Sequence, residues 1–134
     1  MAGDASTDLR VIDVPALAPP GGHYSHATVG AGLVFVSGQL PVRPDGTRLT
    51  DAPFETQARQ TLANVAAAHA AAGSGIDRLL QVRVYVDDIG HWPSFNAIYA
   101  AWIGSARPAR AVVPTGALHH GFKVEVEAIA LASA

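Results

Sequence analysis

Cysteine is absent from this chain of 134 residues. Its absence excludes disulfides, thiol nucleophiles and thiolate-bound metals, and it is typical of proteins in a reducing compartment. No apolar stretch approaches the roughly 20 residues that a membrane-spanning helix needs. Residues 1–8 are small, polar and acidic, whereas a signal peptide begins with basic residues. We therefore expect a cytoplasmic protein with no membrane partner, in which residues 1–8 are flexible.

Charge is also scarce, and neither sign dominates. Only 15% of the residues are charged, and nine Lys and Arg stand against eleven Asp and Glu, which gives a formal net charge of -2. Nucleic-acid binding normally needs a basic surface, so no nucleic-acid partner is expected. A chain of this length is about one domain and buries roughly two thirds of the surface that its unfolded form exposes. Residues 1–134 are therefore predicted to form a single domain.

The first third of the chain has the pattern of strands and turns. Residues 9–14 are short and β-branched, which predicts a first strand, and the Pro- and Gly-rich segment 16–23 predicts a loop. Residues 33–37 form a continuous apolar run that ends at Gly38, which predicts a strand buried on both faces. In the turn at residues 44–46, proline sets φ and glycine accepts a positive φ.

Helical periodicity begins at residue 54. Apolar side chains between residues 54 and 72 fall on one stripe at spacings of three and four, and Gly73 ends the pattern. Residues 79–86 alternate, with valines on one face, and predict a strand. A second helix starts near Pro93 and ends at Gly104. The predicted order is strands, helix, strand, helix, strands, which is an α+β arrangement.

Two helices can cover only one face of the sheet that these strands imply. Several strands are nevertheless apolar on both sides, and an apolar face left in water is costly. The alternative is a short sheet whose second face is simply small. We favour a homo-oligomer, in which another copy of the chain covers the second face.

A cation and two carboxylates lie on apolar strands near the end of the chain. Arg110 is followed by apolar residues, and Glu125 and Glu127 share one strand face about 7 Å apart because side chains alternate with a period of two. Buried charges must be paired or must bind a ligand. The guanidinium of Arg110 suits bidentate capture of a carboxylate. A salt bridge between Arg110 and either glutamate is the competing explanation, as is a solvent-facing edge position for the glutamates.

The six histidines do not have the spacing of a metal site. His119 and His120 lie in a turn-like connection, and His23 and His26 flank Tyr24, but no His-Glu-x-x-His motif occurs. We therefore expect no metal. His69 lies on the helical stripe and is interpreted as a core or interface residue. A serine-hydrolase elbow and a phosphate-binding glycine loop are also missing.

Six segments, in this order along the chain, resemble a known family. They are residues 24–27, 34–39, 57–60 with Asn64, 95–99, 108–110 and 124–130. Together they resemble the Rid family of reactive intermediate deaminases, also called YjgF and often labelled endoribonuclease L-PSP. The resemblance runs from about residue 9 to residue 132.

This resemblance implies a chorismate-mutase-like α+β fold, in which three subunits pack their sheets into a central β-barrel with the helices outside. It also implies hydrolysis of enamine and imine intermediates, such as 2-aminoacrylate and 2-imino acids, to 2-keto acids and ammonia. No cofactor is implied. The expected partners are the small 2-imino or 2-keto acid and two further copies of the chain, with sites at the subunit interfaces.

The family's functional residues transfer to matching positions of this chain. Arg110 matches the arginine that holds the substrate carboxylate, and Glu125 matches the glutamate thought to position or activate water. Tyr24 matches a tyrosine that lines the pocket from a neighbouring subunit. Ser37 and Asn96 match polar positions near the cleft. An iminium carbon is already a strong electrophile, so we expect a carboxylate clamp and one aligned water to supply most of what catalysis requires.

The rim of the predicted pocket departs from the family's commonest pattern. His23 and His26 stand where many members have proline and glutamine, and residues 111–120 replace the usual continuation after the arginine. An altered substrate is therefore expected, and the extra imidazoles are candidates for a general acid or for surface residues. A module that binds small keto or amino acids without turnover is the alternative function. A ribonuclease is disfavoured by the acidic net charge.

Overall fold

The computed structural model describes residues 8–133, whose core is a six-stranded mixed sheet with both helices on one face. The strand order is β1-β2-β3-β6-β4-β5, and neighbours are antiparallel except for the parallel pair β4 and β5. The strands are β1 (Arg10–Ile12), β2 (Ala27–Gly30), β3 (Leu33–Gln39), β4 (Leu79–Val86), β5 (Ala109–Pro114) and β6 (Val124–Leu131). The predicted α+β class and element order are confirmed.

Helix α1 (Phe54–Ala71) buries the predicted stripe. Its positions 54, 58, 62, 65 and 69 are at most 4% exposed, because spacings of three and four return to the same side of a helix. The helix ends before Gly73, which has a φ of +79°. Glycine adopts this left-handed conformation without the steric cost that a Cβ imposes.

Helix α2 (Trp92–Ile103) has Pro93 in its first turn and Gly104, with a φ of +72°, at its C-terminal end. Phe95, Tyr99 and Ile103 are its buried residues. They join α1 and the valines of β4 and β6 in one hydrophobic cluster. Both helices therefore cover the same face of the sheet.

Strands β4 and β6 separate two environments by simple alternation. Val82, Val84 and Val86 of β4 and Val124 and Val126 of β6 are fully buried against the helices. The intervening residues lie on the other side, which we call the open face; its members include Phe35, Arg83, Tyr85, Glu125, Glu127 and Ile129. Phe35 is 43% exposed there. In a single chain the prediction that residues 33–37 are buried on both faces is therefore wrong, because both helices pack on the opposite side.

A register shift interrupts the pairing of β3 with β6. Val36 pairs with Ala128 and Gln39 pairs with Val126, so three steps along β3 oppose two steps along β6. Such a bulge bends its strand and redirects the side chains around it. The extra residue falls at Ser37 or Gly38, at the end of the apolar run of residues 33–37.

The strand boundaries differ from the predicted ones mainly at the start of the chain. The first strand was predicted at residues 9–14, but β1 ends at Ile12, because the backbone at Val14 turns and accepts a hydrogen bond from the amide of Leu17. The predicted flexibility of residues 1–8 concerns residues that lie outside the described range, apart from Asp8. Within residues 8–133, no helix is both long and apolar enough to cross a lipid bilayer.

Candidate active site

A cleft of about 410 Å³ opens at the end of the sheet where β3 finishes. One wall is the loop at residues 17–22 with Tyr24 and His26, and the floor includes Gly38 and Gln39. The opposite side contains His119 and His120. These elements are distant in the sequence, so the cleft is a product of the strand pairing.

Glu125 places a carboxylate against Gly38, a residue that lines this cleft. Its side chain lies on the open face of β6, where a Cβ on Gly38 would overlap the carboxylate oxygen Oε2. Gly38 therefore leaves the space that Glu125 occupies. A small residue at the bulge is what allows a carboxylate to lie next to the cleft.

The surroundings of Glu125 favour its neutral form. Burial raises the pKa of its carboxyl above the usual range, the nearby His119 imidazole lowers that pKa, and the neighbouring Glu127 carboxylate raises it again. Desolvation and a like charge both disfavour an ionised carboxyl. A raised pKa makes the carboxylate a stronger base, which suits proton abstraction from water near neutral pH.

Glu127, two residues further along β6, is held differently. The hydroxyl of Tyr85 donates a hydrogen bond to its carboxylate, and the guanidinium of Arg83 lies 3.9 Å away. The two partners belong to the adjacent strand β4. Glu127 is therefore paired, whereas Glu125 makes no ion pair or side-chain hydrogen bond among residues 8–133.

Arg110 lies on the opposite side of the sheet from Glu125. It pairs in register with Val82, whose side chain is buried against the helices, and its guanidinium lies 4.8 Å from the centre of the Tyr99 ring. Glu125 pairs with Tyr85 on the open face. Because β4 separates β5 from β6, the salt bridge from Arg110 to Glu125 or Glu127, which was the competing explanation, does not form among residues 8–133 of one chain.

The remaining predicted site residues occupy different places. Tyr24 lines the cleft, is 51% exposed, and accepts a hydrogen bond from the amide of Gly21. The hydroxyl of Ser37 donates to the carbonyl of Ser25 at 2.7 Å, so it ties β3 to the chain before β2. Asn96 is half-buried on α2 and does not line the cleft. One chain thus brings Tyr24 to the cleft and Glu125 against Gly38 beside it, but places neither Arg110 nor Asn96 in the lining.

His26 supports the cleft wall. Its Nδ1 accepts a hydrogen bond from the amide of Val14, so Nε2 carries the proton and donates to the carbonyl of Ala18 at 2.9 Å. The ring is 6% exposed. His26 is therefore a structural link between β2 and the loop, rather than a free general acid, and it fixes the segment that carries the cleft wall.

Comparisons with known proteins bear on this geometry. A family model described as endoribonuclease L-PSP matches residues 15–132. The chain belongs to this family, also known as Rid or YjgF. A yeast relative, protein HMF1 of Saccharomyces cerevisiae, is 38% identical over 107 residues, which are 80% of this chain and 82% of HMF1. The 2-iminobutanoate/2-iminopropanoate deaminase of Bos taurus is 33% identical over 94% of this chain and 93% of its own length.

A solved structure gives the same result for the fold. Escherichia coli TdcF with bound serine superposes with a TM-score of 0.85 at 30% identity, covering 92% of this chain and 99% of that one. The predicted chorismate-mutase-like α+β fold is thereby confirmed, with its mixed sheet and two helices on one face. The three-subunit barrel stays a prediction.

Two residues of this Rid-family chain shape the cleft but were not predicted to do so. Asn64 on α1 donates hydrogen bonds to the carbonyls of Leu40 and Val42, which fixes the strand end beside the cleft. Arg48 lies at the cleft rim, in the turn that follows. Asn64 belongs to a segment that carries the family resemblance, so its polarity on a buried helix face was an available signal. Arg48 is one exposed arginine in a loop, and its sequence context gives no such signal.

No group of three or more His, Asp or Glu side chains within residues 8–133 has an arrangement that could hold a metal ion.

Gln57, which also belongs to the segments that resemble the family, is fully buried. Its amide donates to the carbonyls of Thr50 and Ala52 and accepts from the amide of Lys123. Gln57 therefore joins α1 to both loops that border the cleft.

Proposed function

We propose that this chain hydrolyses enamine and imine intermediates, such as 2-aminoacrylate and 2-imino acids, to 2-keto acids and ammonia without a cofactor. The observation that carries the proposal is the half-buried carboxylate of Glu125, which lies against the cleft residue Gly38 and has a raised pKa. The name of the bovine relative, an imine deaminase, supports the same reaction class.

In this proposal Glu125 takes a proton from a water molecule while that water attacks the iminium carbon. The attack gives a neutral carbinolamine, and expulsion of ammonia from it leaves the keto acid. A carboxylate with a raised pKa is matched to this task, since proton transfer is most effective when the base titrates near the working pH. Tyr24 lines the wall beside the substrate.

Arg110 is proposed to bind the substrate carboxylate from a second copy of the chain. Within one chain it lies on the far side of the sheet from Glu125, so one chain does not contain a complete site. Its guanidinium is held over the Tyr99 ring at edge strand β5. Planar stacking of this kind leaves the edge of a guanidinium available for a bidentate carboxylate.

The open face supports the proposed homotrimer. Phe35 and Leu131 are 43% and 41% exposed on neighbouring strands, and Ile129 lies between them. Burying such side chains contributes roughly 1.5–3 kcal/mol each. Three sheets packed through this face would form a barrel that covers these side chains and brings β5 of one copy toward the cleft of another.

Activity is tested with a freshly generated 2-imino acid, by following the formation of keto acid and ammonia. We expect the wild-type chain to accelerate the loss of the imine and Arg110→Ala to abolish that acceleration. Arg107→Ala is the matched control, because Arg107 is an exposed arginine in the loop before β5. Full activity of Arg110→Ala would rule out the carboxylate clamp.

Subunit mixing tests where the two halves of the site come from. Arg110→Ala and Glu125→Gln chains are each expected to be inactive. Trimers reassembled from an equal mixture should recover about a quarter of the wild-type activity, because one site in four then combines an intact arginine with an intact glutamate. Failure to recover activity, with mixed trimers demonstrated by mass, would contradict a site shared between copies.

A binding module without turnover is the second candidate. The TdcF structure contains serine, an amino acid that is not an imine. Calorimetry with serine and with a small 2-keto acid, alongside the imine assay, separates the two functions. Binding with no acceleration of imine loss would favour the module.

A further inference from the structure

The turn that carries His119 and His120 has a strained backbone. His120 has a φ of +55°, and Gly121 follows with a φ of +71°. A residue with a side chain rarely adopts this conformation, and such strain persists only where the surroundings hold it. Here the hydroxyl of Thr50 donates to the carbonyl of His120 at 3.0 Å, and the amide of Phe122 donates to the carbonyl of His119 at 2.9 Å.

The strained turn gives the two imidazoles different surroundings. The ring of His120 packs edge-on against the buried ring of Phe122, with 5.6 Å between their centres. His119 lines the cleft and lies close enough to Glu125 for its charge to stabilise the carboxylate form. One histidine is thus partly engaged by the core, while the other lines the cleft near the Glu125 carboxylate.

We propose that His119 is a catalytic residue that exchanges protons with the substrate nitrogen and oxygen while Glu125 activates water. The proposal rests on the proposed imine hydrolysis and adds a residue and a role to it. It is carried by geometry: His119 and Gly38 line the same cleft, and the Glu125 carboxylate lies directly against Gly38.

The proton transfers of the reaction balance with His119 as the second acid–base group. Attack of water on the iminium transfers one proton to Glu125 and leaves a neutral carbinolamine. Protonated His119 then donates a proton to the amine nitrogen, the C–N bond breaks, and ammonia departs. As the carbonyl forms, the hydroxyl proton passes to His119, and Glu125 releases its proton to ammonia. The net change is iminium plus water to keto acid plus ammonium.

Other charged or titratable groups face the pair from each element around the cleft. They are Glu127 on β6, Tyr85 opposite Glu125 on β4, Arg48 in the 41–50 loop, Tyr24 and His26 on the wall, and His120 in the same turn. Glu127 is paired with Arg83, and His26 is held in its Nε2-protonated form by Val14 and Ala18. His119 is therefore the imidazole best situated to act with Glu125.

The test compares His119→Gln with His120→Asn in the imine assay across pH. Asparagine tolerates the left-handed backbone at position 120, which makes it the suitable replacement there. We expect kcat of His119→Gln to fall about 100-fold, since a positioned acid–base group typically contributes that much or more. Its pH profile should lose the descending limb at high pH, whereas His120→Asn should keep that limb and lose less than about tenfold in kcat.

A second measurement does not depend on turnover. Carbon-13 NMR of the Glu125 carboxyl gives its titration in the wild-type chain and in His119→Gln. Because the imidazole lowers the pKa of Glu125, its removal should move that pKa upward, and His120→Asn should move it less. An unchanged titration in His119→Gln would overturn the pairing.

The outcomes distinguish this proposal from the one that it rests on. An active wild-type chain whose His119→Gln variant keeps kcat and the descending limb overturns the role of His119 alone. A wild-type chain inactive toward imines overturns both the hydrolysis and the catalytic role, and the carboxyl titration then still reports whether the two groups interact. Loss of the limb together with the shifted titration supports the proposal.

Discussion

The two faces of the central sheet use the same strands for different purposes. On the helix-covered face, alternate residues such as Val84 and Val126 are fully buried and apolar. On the open face, the residues between them carry charge, and Tyr85, Glu125 and Glu127 remain partly exposed. Each strand therefore contributes to stability on one side and to the candidate site on the other.

A titratable group on each side shows the same contrast. His69 on the buried stripe of α1 is fully enclosed, and its two ring nitrogens have no hydrogen-bond partner within residues 8–133. Glu125 is only half-buried and lies against Gly38 beside the cleft. Burial favours the neutral form of both groups. Ionisation therefore costs stability on either side of the sheet, but only on the open side does it also provide a base next to the cleft.

The largest expected effect comes from removing the carboxylate on the open side. Glu125→Gln should lower kcat by about 1000-fold, since the general base is lost, and should raise the melting temperature at pH 7. The folded state raises the pKa of Glu125, so ionisation destabilises the fold as pH rises through the window above about 4.5. Thermal scans at pH 7 and pH 4 check the sign: the gain should vanish at the lower pH, and a variant less stable at pH 7 would contradict it.

The next effect concerns the covered side. Burial lowers the pKa of His69 from its ordinary value of 6.5 to about 4. Between pH 6.5 and pH 4 the unfolded chain is therefore protonated at His69 while the folded chain is not. The free energy of unfolding should fall by about 3 kcal/mol as pH drops through this range. Urea unfolding of the wild-type chain and of His69→Leu across this range measures the loss. The leucine variant should show a much shallower decline, and equal slopes would refute the assignment.

A smaller effect is expected from filling the space beneath Glu125. Gly38→Ala adds a Cβ where the Glu125 carboxylate lies. Kinetics should show kcat reduced by about 10- to 100-fold, because misplacing a catalytic group by about 1 Å can cost that much. Gly116→Ala is the matched control, since a Cβ there meets nothing within 4 Å. Equal activity of the two variants would show that the position of Glu125 is not critical.

The smallest effect should follow from removing the hydrogen bond that Tyr85 donates to Glu127. Tyr85→Phe removes the hydroxyl that donates to the Glu127 carboxylate and should cost about 1 kcal/mol of stability, the usual net value of one hydrogen bond. Catalytic activity should remain, because Glu127 serves structure in this assignment. Chemical denaturation and the imine assay test both parts. If Tyr85→Phe were as inactive as Glu125→Gln, the division of roles between the two glutamates would be wrong.

Local patterns predicted most of the fold. The stripe through Leu62 and Val65 gave α1, and the alternation at residues 79–86 gave β4 with its bounds unchanged. Both signals depend only on the period of a helix or strand, so they survive without knowledge of the partners. The first strand was less well predicted, because a hydrogen bond from the amide of Val14 to His26 stops it early.

The site was predicted only in part. The family resemblance drew attention to four residues. The structure places Tyr24 in the cleft lining and Glu125 against the lining residue Gly38, whereas Arg110 and Asn96 do not line the cleft. His26 was a candidate acid, but its two hydrogen bonds make it a wall residue. These hydrogen bonds join residues that are 8 and 12 positions apart in the sequence. Such contacts in loops produce no periodic pattern, so the sequence does not predict them.

The sequence by itself determined which residues form helices and strands, which faces are apolar, and the family, because each depends on local spacing or on ordered motifs. Tertiary structure decided which charged groups meet. Strand order and one bulge bring Gly38, Glu125 and His119 together and set Arg110 on the other side of the sheet. A single register step reverses the face of every side chain on a strand, so these contacts exist only once the pairing is fixed.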